Sequence, residues 1–145
     1  MTSAIDTNIL IALLAGTEVE AEAAQQALSD AASSGAVVIC GAVYAELMAA
    51  PGLSWKELDT FLEETDIDVD WLLGEVAWRS AGTAYRGYAE RRRKQKGDEG
   101  PRRILADFLI GAHATASANR LLTLDPQLFR ANFGALELVV PETLS

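Results

Sequence analysis

Hydrophobic positions along this chain follow two rhythms. Short continuous apolar runs, such as Val37-Val38-Ile39-Cys40, are bounded by turn residues and read as strands buried on both faces. Between them, apolar residues recur three and four apart, the spacing of one helical face. The first run, Ser3-Ala4-Ile5, passes into Asp6, Thr7 and Asn8; Ile9, Leu10, Ile11, Leu13 and Leu14 then set a helical pattern that stops at Gly16. Helices are expected over 18–34, over 41–50 up to Pro51-Gly52, over 71–95 and over about 103–118. Ser54-Trp55-Lys56-Glu57 has the form of a capping box, and opens a further helix with Leu58, Phe61 and Leu62 inward. Asp125-Pro126 opens a short one, with the aspartate as cap and the proline in the first position. The remaining strands are expected over 66–70, 120–124 and 136–140.

Strands that alternate with helices predict an α/β fold, a three-layer α/β/α sandwich around a central parallel sheet of four or five strands. At 145 residues, 1–145 reads as a single domain with one core. Three details refine the packing. Leu72, Val76, Trp78, Tyr85 and Tyr88 are the expected packing residues of the long helix, and Val43, Tyr44, Leu47 and Met48 those of the helix over 41–50. Gly111 and Ala114, on the side of Asp107, are small enough for close packing on the sheet. Asp66, Asp68 and Asp70 alternate as the wet face of an edge strand; a calcium loop would need Gly where Trp71 stands and Glu where Ala77 stands.

Composition narrows the classes. No apolar run approaches the roughly 20 residues of a membrane helix, and the N-terminus lacks the pattern of a signal peptide, so a cytoplasmic protein is expected. The single Cys40 follows a buried strand and reads as a small core residue. The single His113 excludes a multi-histidine metal site and reads as structural or surface. A net charge of −9 argues against a general nucleic-acid coat protein. The positive charge is nevertheless clustered: seven of the twelve Lys and Arg are Arg91, Arg92, Arg93, Lys94, Lys96, Arg102 and Arg103. With a Debye length of about 8 Å, such a cluster acts on a docked phosphate more than distant acids do. The competing reading is a solvated helix end, since cations suit helix C-termini.

Four acids share one description. Asp6 and Asp125 follow strands, Glu46 lies in the helix after a strand, and Asp107 sits near a helix start. In a parallel sheet with right-handed crossovers, these positions fall at or near one rim, where ligands bind. Each acid alone has a plain role as a cap. If they converge, two carboxylates about 5 Å apart would repel by about 3 kcal/mol at an effective dielectric of about 20, and four would need protonation, cationic partners or a divalent metal. Oxygen donors without a His or Cys cluster favour Mg2+ or Mn2+.

The segments Asp6-Thr7-Asn8-Ile9-Leu10, Glu46-Leu47, Ala106-Asp107-Phe108-Leu109-Ile110-Gly111-Ala112 and Leu122-Thr123-Leu124-Asp125 resemble the four motifs of PIN-domain nucleases, and more closely those of the VapC-type toxin ribonucleases. The resemblance spans essentially the whole chain and implies a PIN-like sandwich. It implies that Asp6, Glu46, Asp107 and Asp125 hold one or two Mg2+ or Mn2+ ions, with Thr7, Asn8 and Thr123 in support. It also implies an RNA substrate, a homodimer, and silencing by a VapB-like antitoxin. The alternative is a non-catalytic acidic interaction module that keeps the fold. A phosphotransferase of the aspartyl-phosphate type would want a second acid at position 8, where this chain has Asn.

Overall fold

The computed structural model describes residues 1–96 and 105–142. Five strands, β1 (Ser3–Ile5), β2 (Val37–Cys40), β3 (Ile67–Asp70), β4 (Arg120–Leu122) and β5 (Glu137–Val139), form one sheet in the order β3-β2-β1-β4-β5, with all neighbours parallel. The helices are α1 (Thr7–Ala15), α2 (Glu18–Ser34), α3 (Gly41–Met48), α4 (Trp55–Glu64), α5 (Glu75–Lys96), α6 (Leu105–Ser117) and α7 (Gln127–Asn132). The expected sandwich with a five-stranded parallel sheet is what forms. Its order carries the functional consequence. From β1 the chain builds outward to β2 and β3 on one side, whereas β4 and β5 lie on the other. The β1/β4 boundary is therefore the topological switch point, where an open α/β sheet leaves a crevice at its carboxyl rim.

Local chemistry sets the element ends. Asp6 caps α1 and accepts from Thr7 N, while the Gly16 N–H closes the helix on Ala12 O. Thr17 and Glu20 form a reciprocal capping box at α2, and Ser54 accepts from Glu57 N at α4. The core gathers Ile5, Ile9, Leu10, Ile39, Leu47, Phe108, Ile110 and Leu121, all essentially inaccessible. Cys40 is buried among them, and burial pushes its thiol pKa up.

Several expectations are corrected. The long helix starts at Glu75 rather than at 71, and Leu72, Val76 and Trp78 are exposed, by 83%, 80% and 51%. Its inward side is made of Ala77, Ala81 and Ala89, with Tyr85 and Tyr88 against Phe108. Alanines and the two tyrosines make the packed side, while Val76 and Trp78 stand on the outer side and Leu72 precedes the helix. The helix over 41–50 ends at Met48, which is exposed, as Ala49 N turns back onto Glu46 O. The cap of α7 falls on Pro126 and not on Asp125, so the helix begins one residue later than expected. Strand β4 stops at Leu122; the Leu124 N–H goes to the Asn8 side chain instead of a ladder partner. Gly111 makes room for a ring rather than for the sheet: a Cβ there would lie 2.3 Å from Phe133 Cε2. Finally, β3 is an edge strand with Asp66 and Asp68 exposed, but Asp70 is half-buried and paired with His113. His113 is thus structural and not a surface residue, being 1% exposed.

Candidate active site

Asp6 stands where β1 ends and α1 begins, at the switch point. Its Oδ1 accepts from Thr7 N at 2.8 Å and its Oδ2 from Thr123 Oγ1 at 2.7 Å. Thr123 follows β4, so this hydroxyl ties the two central strand ends together. The same Oγ1 accepts from Asp125 N at 3.1 Å and from Asn8 Nδ2 at 3.5 Å. Asn8 Oδ1 accepts from Leu124 N at 3.1 Å, which fixes the path of the segment leading to Asp125. Thr7 Oγ1 donates to Glu46 Oε1 at 2.6 Å, holding the α3 acid toward the same point.

These groups face one cavity of about 230 Å³, lined by Asp6, Glu46, Asp107 and Asp125 together with Thr7 and Asn8. Ile11, Leu128 and Phe129 complete its walls. All four acids singled out in the sequence are therefore brought together. The apolar walls were not foreseen, although α7 directly follows Asp125 and must begin beside the rim.

Asp6 is 6% exposed, and its pKa is pushed up to about 6. Burial is the largest cause; the bonds from Thr123 and Thr7 act in the opposite direction, and the charges of Asp107 and Glu46 raise it further. The rim is thus an anionic pocket in which Asp6 ionises less readily than an ordinary aspartate, a cost that nearby positive charge would offset. Its donors are carboxylate oxygens, flanked by hydroxyl and amide oxygens, which suits a hard divalent cation. Each Asp6 oxygen accepts a hydrogen bond, Oδ1 from Thr7 N and Oδ2 from Thr123 Oγ1, and has a second lone pair. Among the described residues, no three His, Cys, Asp or Glu side chains already form a closed set of ligands. The residues fit such an ion by donor chemistry and shared location.

The basic cluster divides. Arg91 and Arg92 line a second cavity, which meets the acidic one at Leu128, and Arg91 Nη2 donates to Asn132 Oδ1. Arg93 and Lys94 are exposed and line neither. Arg102, Arg103 and the Lys96 side chain lie outside the described residues.

Comparison with known proteins agrees with this architecture. The family model of the PIN domain matches residues 4–134, and the chain belongs to that family. PIN domains are generally nucleases. Solved structures share the fold at low identity. A chain of VapBC2 from Rickettsia felis, bound to a DNA fragment of its promoter, is 22% identical with a TM-score of 0.64, over 98% of this chain and 100% of that one. A toxin–antitoxin complex from Klebsiella pneumoniae gives 21% and 0.66, over 98% and 99%. VapBC-1 from nontypeable Haemophilus influenzae gives 19% and 0.61, over 97% and 98%. No curated protein sequence matches the chain significantly. No helix among the described residues is long and apolar enough to cross a membrane.

Proposed function

We propose that the protein is a Mg2+- or Mn2+-dependent endoribonuclease, and that it acts as the toxin of a type II toxin–antitoxin pair. The observation that carries this reading is the convergence of Asp6, Glu46, Asp107 and Asp125, from four separate segments, on one cavity at the switch point. Asp6, Glu46 and Asp107 would be the principal ligands, with Asp125 completing the site directly or through water. Such an ion, when bound, polarises a phosphoryl oxygen and makes a nearby water more acidic. The chain's own task is to hold the carboxylates in place. Asp6 is fixed by Thr7 N and Thr123 Oγ1, and Glu46 by Thr7 Oγ1. Both threonine hydroxyls donate to carboxylates, Thr123 to Asp6 and Thr7 to Glu46, and so orient the acids. Attack by water, in line with the leaving oxygen, is the route this site favours.

Purified protein freed of any antitoxin should cut RNA with Mg2+ or Mn2+ and stop with EDTA. Asp6→Asn and Asp107→Asn should each abolish cutting while the domain stays folded; cutting that persists in both refutes the assignment. The antitoxin partner is supported by the toxin–antitoxin complexes among the structural neighbours. A VapB-like protein co-purifying with the chain, and inhibiting it, would test that part. A homodimer and a cytoplasmic setting go with the same proposal, as does a single nuclease domain over 1–145.

One observation favours a second reading, an acidic interaction module without turnover: the acids as placed do not yet form a closed ligand set. Calorimetry with Mn2+ separates the two. Binding that is lost in Asp107→Asn supports the nuclease, and no measurable binding supports the module.

A further inference from the structure

The cavity beside the acidic one has a chemistry of its own. It lies between the last turns of α5 and the short α7 and measures about 270 Å³. Leu128 lines both cavities, so the two lie side by side along α7. From α5 come Arg91, Arg92 and Gln95; from α7 come Gln127 and Asn132.

We propose that this cavity is a base-reading subsite. It takes the single unpaired ribonucleotide next to the phosphate held at the acids, and so sets the sequence preference of cleavage. The identity of what lies next door rests on the nuclease reading above; the subsite itself is argued from its own residues. A solvated helix end needs only cations. Here two guanidinium groups share a concave surface with three carboxamides, each carrying a donor and an acceptor. That combination is what reading a base edge requires, while arginine planes stack on the ring and neutralise the flanking phosphate. The site is also held in advance of any ligand. Asn132 Nδ2 donates to Leu128 O at 2.8 Å, and its Oδ1 accepts from Arg91 Nη2. Arg91 is therefore positioned across the gap between α5 and α7, which lowers the ordering cost of binding. Tyr88, tilted against Phe108 at 5.5 Å, forms an aromatic part of the wall. An acidic peptide would suit the arginines but leave the amides and the ring without a role.

The test uses full-length protein. The four ribonucleoside 5′-monophosphates, inorganic phosphate and a glutamate-rich peptide are titrated separately while the side-chain amide signals of Gln95, Gln127 and Asn132 are followed by NMR. In parallel, ends are mapped after cleavage of RNA randomised around the cut, for wild type, Gln95→Ala and Gln127→Ala. Both glutamines are exposed, so neither change threatens the core. The expected result is a base-dependent response of the three amides. At one position beside the cut, a preference in wild type flattens in both variants, with the loss of about tenfold falling on KM rather than kcat. Equal shifts from every nucleotide and from inorganic phosphate would overturn the proposal in favour of a plain anion site. Shifts from the peptide alone would overturn it in favour of an acidic-protein contact. If wild type cuts with a preference that both variants keep, the subsite falls while the nuclease stands. If nothing is cut but the base-dependent shifts remain, the nuclease reading falls and the subsite stands.

Discussion

Asp6 and His113 are both ionisable side chains shut into the core, 6% and 1% exposed, yet their surroundings differ in kind. His113 Nε2 meets Asp70 Oδ2 at 3.0 Å, a hydrogen-bond partner supplied by the chain itself. Asp6 receives hydrogen bonds from Thr7 and Thr123, but the charges that act on it, Asp107 and Glu46, have its own sign. The first cluster is complete within the fold. The second leaves like charges facing one another, which costs stability; on the proposed function a divalent cation would complete it. Burial alone therefore does not mark a site; burial among like charges at a switch point does.

The comparison breaks most visibly at the acids. Asp107→Asn should lower RNA cutting by about a thousandfold or more, the scale of losing a group that stabilises transition-state charge. End-labelled substrate and Mn2+ calorimetry would follow activity and binding together. Asp6→Asn should also abolish cutting, and it should stabilise the protein in EDTA at alkaline pH. The sign follows from linkage. A carboxyl raised from 3.8 to about 6 on folding contributes stability that is full below pH 3.8 and is lost as pH rises through 6. The rise corresponds to about 3 kcal/mol over the whole window, of which about half remains to be lost between pH 5 and pH 8, so wild type should weaken there in EDTA and Asp6→Asn should not. Thermal melts of both proteins at the two pH values check this, and a difference that ignores pH would remove the like-charge account.

Supporting residues come next. Thr123→Val keeps the shape but deletes the donor to Asp6 and the acceptor for Asp125 N, and should cost about 10–100-fold in activity or Mn2+ affinity. Away from the rim, Gly111→Ala should cost about 1–3 kcal/mol, since its Cβ would press on the buried Phe133 ring. Denaturant unfolding would measure it. A smaller loss would mean that α7 yields easily, and with it the wall that Leu128 and Phe129 give the acidic cavity.

Much of the acidic cluster was legible because its signals are local. Asp6 and Asp125 each follow a short apolar run and precede a helix, so their place at a rim follows from pattern alone. Glu46 and Asp107 could be placed by counting along helices. What stayed hidden depends on partners far away in sequence. His113 lies in an alanine-rich helix with nothing nearby to announce Asp70, 43 residues earlier. Gly111 reads as a generic small residue until Phe133 is seen against it. The long helix misled for a different reason: Leu72, Val76 and Trp78 are the conspicuous apolar residues, but α5 packs through Ala77, Ala81 and Ala89. Hydrophobic size weighed more in the pattern than the closeness that alanines permit. Leu128, Gln95 and Gln127 likewise carry no motif, and matter only through where α5 and α7 meet.

The smallest predicted effect is the one that best isolates the contrast. Asp70→Asn preserves shape: its Oδ1 can still accept from Leu72 N, which places Nδ2 toward His113 where the carboxylate oxygen stood. The carboxylate charge and its acceptor oxygen toward His113 are lost. Because the pair is half-buried on the Asp70 side, solvent already screens part of its attraction. The expected loss is about 1 kcal/mol by denaturant unfolding at pH 7. RNA cutting and Mn2+ binding should remain at the wild-type level, as Asp70 does not line the acidic cavity. A drop in cutting well beyond that explained by stability would mean that α6, which carries both His113 and Asp107, transmits the state of the pair to the rim. The two polar clusters would then be one device, and the distinction drawn between them would fail.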